Sequence, residues 1–347
     1  MRILAVLTVR DEGAFLIDWL AHHRACGITD FLVVSNDCSD GTDAMLDRLQ
    51  AMGWLTHLRN EGPFEKGPQW HALALADRHP LVGAADWAVV LDIDEYLNID
   101  IGDRTVPALL AARPGATAFA LPWRMFGNAG VVGFEDRPVA QQFTRSAPPV
   151  LFWPWRAQLV KTLFRNDGSY RKLGVHRPRS PEPSRMGGQR WFDGSGRQLA
   201  PGWARAGFIA PLGSDNGALA RINHYALGAM ESYVLKCARG RANREASGLD
   251  MGYWVERNFA ALEDRSILAL EPQVAPLRGA LRGDAELGRL HAAAVAWRRR
   301  RFENLMQDEP VRALFGRLLM SAPTRVLTAA EAAPVLRHAR APRPRPA

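Results

Sequence analysis

Residues 85–97, A-D-W-A-V-V-L-D-I-D-E-Y-L, pass from an apolar run, Trp87 to Leu91, straight into Asp92, Asp94 and Glu95. An unbroken run of bulky and β-branched residues, bounded by Gly83 and by acids, reads as a central strand of a parallel sheet covered on both faces. Its carboxylates then stand at the strand's carboxyl end, where open α/β sheets bind ligands. On extended chain, side chains two apart point the same way. Asp92 and Asp94 are therefore expected to converge on one hard cation whose other oxygen ligands include phosphates. The competing reading is a strand end capped by solvated acids, and a bare D-x-D does not choose between the two.

The residues upstream supply the choice. Residues 3–9 read as a strand, and Phe15, Ile17, Trp19, Leu20 and His23 mark an amphipathic helix to about residue 25, stopped by Gly27. F-L-V-V-S at 31–35 is a second strand. The turn N-D-C-S-D-G-T opens a helix over 43–52, with Ser39, Asp40 or Thr42 as its cap. A weaker strand over 54–59, a Gly/Pro-marked loop over 60–68 and a helix over 69–79 lead to the acid-tipped strand. Alternating strands and helices imply a parallel sheet with right-handed crossovers.

Three strand ends carry polar clusters: Thr8, Arg10, Asp11 and Glu12; Ser35, Asn36 and Asp37; and Asp92, Asp94 and Glu95. In a parallel sheet these ends share one rim, so the clusters are expected to line a single crevice. Alone, each would pass for a turn or a helix cap. Neither G-x-G-x-x-G at the first turn nor G-x-x-x-x-G-K-[ST] anywhere is present, which disfavours a dinucleotide fold and a P-loop.

L-T-V-R-D-E, V-V-S-N-D-C-S-D-G-T, E-K-G-P-Q-W-H-A-L-A-L-A and L-D-I-D-E-Y-L together resemble the glycosyltransferases of family 2 type, the bacterial branch with a D-x-D-E motif. The resemblance covers residues 1 to about 100. It implies a GT-A-type α/β fold: a mostly parallel, Rossmann-like central sheet flanked by helices, here with a helical C-terminal extension. It also implies that Thr8, Arg10, Glu12, Asn36, Asp37, Lys66, Gln69 and Asp92 hold a uridine- or guanosine-diphosphate sugar. By the same resemblance, Asp92 and Asp94 bind a divalent metal, manganese or magnesium, and Asp94 is catalytic. Aligning D-G-T puts the family's paired aspartates on Ser35 and Asn36, with Asp37 one step later, so either Asn36 or Asp37 is left to meet the base.

Composition agrees with a globular chain: of 347 residues, 47% are hydrophobic, and no run of eighteen apolar residues occurs. The start, M-R-I-L-A-V-L-T-V-R-D-E, is too short and too soon acidic for a signal peptide, so a cytoplasmic chain is expected. Three scattered cysteines, Cys26, Cys38 and Cys237, make neither a disulfide framework nor a zinc site. The net charge of +8 is uneven: residues 1–100 carry −9, 101–270 carry +10 and 271–347 carry +7. The basic remainder suits diphosphates, an acidic acceptor, an anionic inner membrane face, or solvent alone. No recognition motif supports nucleic acid.

Past residue 100, residues 101–270 read as the acceptor-side half of the same domain. The loop W-R-M-F-G-N-A-G, at 123–130, is expected to face the acceptor, with Gly127 and Gly130 letting backbone approach a ligand. Glu135 and Asp136 are the next acids and the candidate general base. K-L-G-V-H-R-P-R, at 172–179, resembles a family element; His176 is a candidate metal or diphosphate contact, and Arg177 and Arg179 would neutralise the leaving group. Residues 181–219 have the composition of a closing lid. His224 precedes a helix over 229–239 and is a second metal candidate, followed by Lys236, Arg239 and Arg241 as phosphate contacts. Residues 271–335 form a basic helical extension, with a helix over 285–306 that is either packed or turned to a membrane or partner. Residues 336–347 are expected to be disordered.

The expectation is a metal-dependent, inverting glycosyltransferase moving a sugar to an acceptor hydroxyl, on a glycan in surface-polysaccharide synthesis. The alternatives are a nucleotide-sugar or glycan binder without turnover and a haloacid-dehalogenase-type phosphatase. In the phosphatase the nucleophilic aspartate would follow the first strand, not the fourth. Fold alone does not decide among these.

Overall fold

The computed structural model describes residues 1–64, 67–239 and 250–340. Nine strands form one sheet: β1 (Ile3–Val9), β2 (Asp30–Asn36), β3 (Thr56–Asn60), β4 (Trp87–Leu91), β5 (Glu95–Ile99), β6 (Ala118–Met125), β7 (Val160–Arg165), β8 (Trp191–Asp193) and β9 (Ala220–His224). Their spatial order is β3-β2-β1-β4-β7-β6-β9-β5, with β8 beside the first half of β6. β1 to β4 are parallel, and β6, β8 and β9 run with them; β5 and β7 run against. This is the expected α/β class, a mostly parallel central sheet flanked by helices. Residues 1–100 and 101–270 both contribute strands to it.

Alternation along β1 explains why this sequence is a central strand. Ile3, Ala5, Leu7 and Val9 enter the core on one face, and Leu4 and Val6 the core on the other. On the first face lie α1 (Gly13–Ala25) and α2 (Thr42–Ala51), whose Leu16, Leu20, Met45 and Leu49 are fully buried. α3 (Pro68–Ala76) covers the other face with Ala72, Leu73 and Ala76. α4 (Val106–Ala112) starts at Thr105, whose side chain caps Ala108 N. α6 (Glu271–Gly283) packs on α1 and adds Val274 and Leu281 to the first core, while a third core joins α5 (Met230–Arg239) to α7 (Ala285–Leu305) and α8 (Glu309–Met320) through Tyr233, Trp254, Phe302 and Leu318.

Three expectations change here. Residues 181–219 are not a lid: Trp191, Ala204 and Ala210 are buried in the second core, and β8 is hydrogen-bonded into the sheet. Their glycines and prolines turn a packed chain. Gly127 meets protein and not ligand, because its N–H bonds Phe259 O at 2.8 Å and a Cβ there would stand 2.3 Å from that oxygen. Finally, α9 (Ala329–Arg340) carries the chain in helical form past residue 336, as its alanines and arginines favour; residues 341–347 lie outside the described part. No helix among the described residues is long and apolar enough to cross a membrane.

Candidate active site

Strand direction assembles the site. β1, β2, β3, β4, β6 and β9 end on one edge of the sheet, and the reversed strands β5 and β7 begin there. Glu95 and Lys161, at or near the starts of β5 and β7, are thus brought to the same rim as Asp92 and His224. Glu95 and His224 are paired residues of adjacent strands.

The D-I-D-E motif is a turn, not extended chain. Glu95 N–H donates to Asp92 O at 3.1 Å, and Asp92 N–H to Glu95 Oε2 at 2.9 Å. Trp19 on α1 clamps the turn, its indole N–H donating to Glu95 O at 3.0 Å. On the next turn of α1, His23 bonds Trp19 O through Nδ1 and accepts Leu97 N–H at Nε2, which fixes a neutral ring. The acids of the motif therefore diverge instead of converging. Asp92 accepts from Lys161 Nζ at 2.8 Å and from Gln69 Nε2 at 3.3 Å. Asp94 accepts from Lys236 Nζ at 2.6 Å, and its other oxygen lies 3.6 Å from His224 Nε2.

The two clusters differ electrostatically. Burial alone would push the Asp94 carboxyl up, but Lys236 and His224 overcome it and hold the group well below the usual carboxylate range. Glu95 is buried between Asp92 and Lys161, and burial pushes its carboxyl up to about 8. Lys161, wholly buried, is 3.0 Å from Glu95 and 2.8 Å from Asp92 and stays charged between them. His176 donates Nδ1–H to Val160 O at 3.1 Å; burial, then the Lys161 charge, lowers it to about 4. Burial also lowers His224, whose Nδ1 has no hydrogen-bond partner.

A cavity of about 770 Å³ opens beside Asp94. Its walls are Arg10 and Glu12 after β1, Asp94, Lys236 and Arg239 of α5, and one side of α7. Arg239 pairs with Glu12 at 2.5 Å and also bonds Arg10 O. The basic run of α7, Arg298 to Arg301, faces this cavity while α7 packs on α1, α2, α5 and α6.

Other expected residues stand elsewhere. Glu135 is exposed and paired with Arg137, and Asp136 is tied to Arg282 at 2.8 Å and His291 at 3.0 Å. Neither lines the cavity, because the loop carrying them is anchored outward onto α6 and α7. Arg177 donates to the carbonyls of Trp203 and Ala204 and lies over Trp191; Arg179 bonds Leu173 O and lies over Trp70. Both brace their own loop. Asn36 is buried, with Nδ2 on Val9 O and Oδ1 taken by Asn60, whereas Asp37 is exposed at the rim with φ +44°. Thr8 is half-buried on β1. Lys66 and Arg241 lie outside the described residues.

Asp94 and His224 suit a divalent cation in part. Their facing atoms are 3.6 Å apart, past hydrogen-bond reach, and carboxylate and imidazole both ligate manganese-like ions. Among the described residues no group of three His, Cys, Asp or Glu is set to hold a metal. An ion there would take further ligands from a donor diphosphate.

Residues 8–186, just over half of the chain, match the family model described as glycosyltransferase family 92. Among solved structures, the chain is similar to TarS 1-349 of S. aureus at 13% identity, over 48% of this chain and 47% of that one, with a TM-score of 0.31. It is similar to glucosyl-3-phosphoglycerate synthase of Mycobacterium tuberculosis with Mn2+, uridine-diphosphate and glucosyl-3-phosphoglycerate at 19%, over 35% and 44%, at 0.24. A third is CMP:2-keto-3-deoxy-manno-octonic acid synthetase complexed with CTP, at 12%, over 48% and 75%, at 0.26. The chain thus spans about half the length of the first two, and scores this low carry no functional argument. No curated protein matches the chain. The motifs that resemble family 2 therefore resolve, on the family model, to a glycosyltransferase of another family: the chain belongs to glycosyltransferase family 92.

Proposed function

We propose that this glycosyltransferase takes its sugar from a uridine- or guanosine-diphosphate donor and passes it, with inversion, to an acceptor hydroxyl entering through the cavity beside Asp94. The observation that carries the reading is Asp94 itself: an ionised carboxylate on the cavity wall, held by Lys236 and facing His224. A carboxylate held so low is a poor general base, so its part is on the diphosphate side. Asp94 and His224 would hold a divalent cation together with the diphosphate. When bound, that cation supplies Lewis-acid stabilisation of the departing phosphate. Lys236 and Arg239, three residues apart on α5 and paired with Asp94 and Glu12, would offer hydrogen-bond donors to the leaving group.

Asp37, exposed at the end of β2, is the residue placed to meet the base, and Asn36 positions it from behind through Val9 and Asn60. Thr8 and Gln69 border the same rim, and Gln69 steadies Asp92. A base among the acids of the cavity wall, in place of Glu135 or Asp136, is supported by neither of those two lining it.

The test incubates the full chain with manganese or magnesium, a panel of nucleotide sugars and mixed hydroxyl acceptors, reading nucleotide release. Asp94→Asn keeps the shape and is expected to lower acceptor-dependent release about 100-fold, near the loss of one strong transition-state contact. Nucleotide binding without release in the wild type would make the protein a binder; release unaffected by Asp94→Asn would remove Asp94 from the site.

A further inference from the structure

The cavity wall farthest along the sequence from the motif carries a charge with no ion-pair partner among the described residues. Arg298 on α7 lines the cavity, is only 8% exposed, and has its guanidinium between two aromatic faces, 4.7 Å from the Phe15 ring and 5.1 Å from the Phe134 ring. Among the described residues no carboxylate pairs with it, and its Nε is buried without a hydrogen bond. Burial lowers the group to about 10, so the charge survives at neutral pH. Burying an unpaired guanidinium is costly, and ring faces offset only part of that.

The surroundings point the same way. Of the acids on the cavity, Asp94 is matched by Lys236 and Glu12 by Arg239, while Asp11 and Glu303 have no ion pair among the described residues. Arg299, Arg300 and Arg301, all exposed on the same wall, have no ion pair among the described residues, and Arg10 has none for its side chain. On the α7 side four arginines stand against one carboxylate, Glu303, so that wall is net cationic, whereas the lysine and arginine of the α5 side are paired. Phe15, Phe134 and Trp297 give it flat apolar faces next to those cations, the combination that receives a ring bearing an anionic group.

We propose that Arg298 is the anchor of an anion subsite distinct from the diphosphate position, and that the acceptor is a hydroxyl compound bearing a phosphate or carboxylate. The word acceptor rests on the transferase reading above; the anion subsite does not. A planar guanidinium fixed between two rings presents its free N–H groups as a preset fork for either anion, and α7 supplies it from outside the stretch that matches the family model.

The test is calorimetric titration of the full chain with inorganic phosphate, glycerol 3-phosphate and glucuronate, with glycerol as the neutral control and UDP titrated separately. Wild type should bind the anions and not glycerol, and the stronger of glycerol 3-phosphate and glucuronate identifies the group. R298Q should weaken anion binding at least 10-fold and R298K about 3-fold, with UDP affinity moved less than 2-fold. R299Q/R301Q, on the exposed side, should weaken it 2- to 5-fold without touching the aromatic pair. In transfer assays R298K should raise the KM of an acidic acceptor while leaving its kcat. The proposal is overturned if wild type binds no anion at millimolar concentration, if folded R298K and R299Q/R301Q bind as wild type does, or if R298Q weakens UDP as much as phosphate. Absence of transfer to any acceptor, with anion binding still lost in R298Q, would count against the transferase reading and leave the subsite standing.

Discussion

Two lysine-centred clusters grow from the same four residues, and they have opposite characters. Lys161 sits wholly buried between Asp92 and Glu95, with no access to the cavity. Lys236, 22% exposed in its side chain, holds Asp94 on the cavity wall. In the first, the cation stands between Asp92 and a Glu95 carboxyl that burial pushes up to about 8. In the second, it keeps one carboxylate ionised on the wall of an open cavity. Spacing in the sequence made Asp92 and Asp94 look equivalent; the turn at residues 92–95 makes one a foundation and the other a tool.

The sharpest way to break this contrast is to remove each lysine's charge. Lys161→Met removes a wholly buried cation from between buried Glu95 and part-exposed Asp92, a loss on the order of 3–5 kcal/mol, seen as a melting temperature lower by roughly 10 °C. Lys236→Met frees a partly solvated pair, so stability should fall by about 1 kcal/mol or less while acceptor-dependent nucleotide release drops well over 10-fold. Equal thermal losses in the two variants would erase the distinction.

A smaller effect sharpens the second cluster. His224→Gln keeps a polar side chain beside Asp94 but removes an imidazole ligand, so the manganese concentration for half-maximal release should rise about 10-fold, as for loss of a metal-site group. A lowered melting temperature with no change in metal requirement would assign His224 to packing against Trp123.

The smallest effect lies beside the first cluster. His176 is held neutral down to about pH 4, by burial and then by Lys161, whereas in the unfolded chain it titrates near 6.5. The unfolded state thus binds the extra proton between these values, so the stability this histidine allows is complete above pH 6.5 and is lost as pH falls toward 4. His176→Gln should make urea-unfolding stability less pH-dependent across that window by an amount on the order of 1–3 kcal/mol; an unchanged slope would mean the ring is protonated or solvated in the native state.

The first four strands were legible because each writes its own rule: alternation or an apolar run, then a polar turn, then a helix. Strand ends sharing a rim follows from parallelism alone, and Arg10, Asp11, Glu12 and Asp94 do line one cavity, but Ser35, Asn36, Asp37 and Asp92 of the same three clusters do not. The lysines were not legible, since Lys161 follows Asp92 by 69 residues and Lys236 follows Asp94 by 142, and no local pattern encodes such a distance. The turn geometry was also hidden: D-I-D-E is compatible with extended chain until Trp19 and the Glu95 backbone are seen to fold it. Residues 181–219 misled by composition, because glycine and proline mark bends without saying whether the bent chain is packed. The basic run of α7 showed its charge and concealed its direction, which only packing on four other helices sets.

The placement of α7 has a consequence for biosynthesis. A chain made from its amino end lays down β1 to β4 and the D-I-D-E turn early, yet the wall bearing Arg298 comes from residues 285–305, which seat on α1 and α2 through such contacts as Arg48 with Asp284. Until that helix leaves the ribosome, the cavity lacks a side and Phe15 and Phe134 lack the cation between them. The emerging polypeptide therefore passes through a stage with its sheet in place and its acceptor chamber open to water. Closing the cavity is therefore a long-range step that joins the two ends of the described chain.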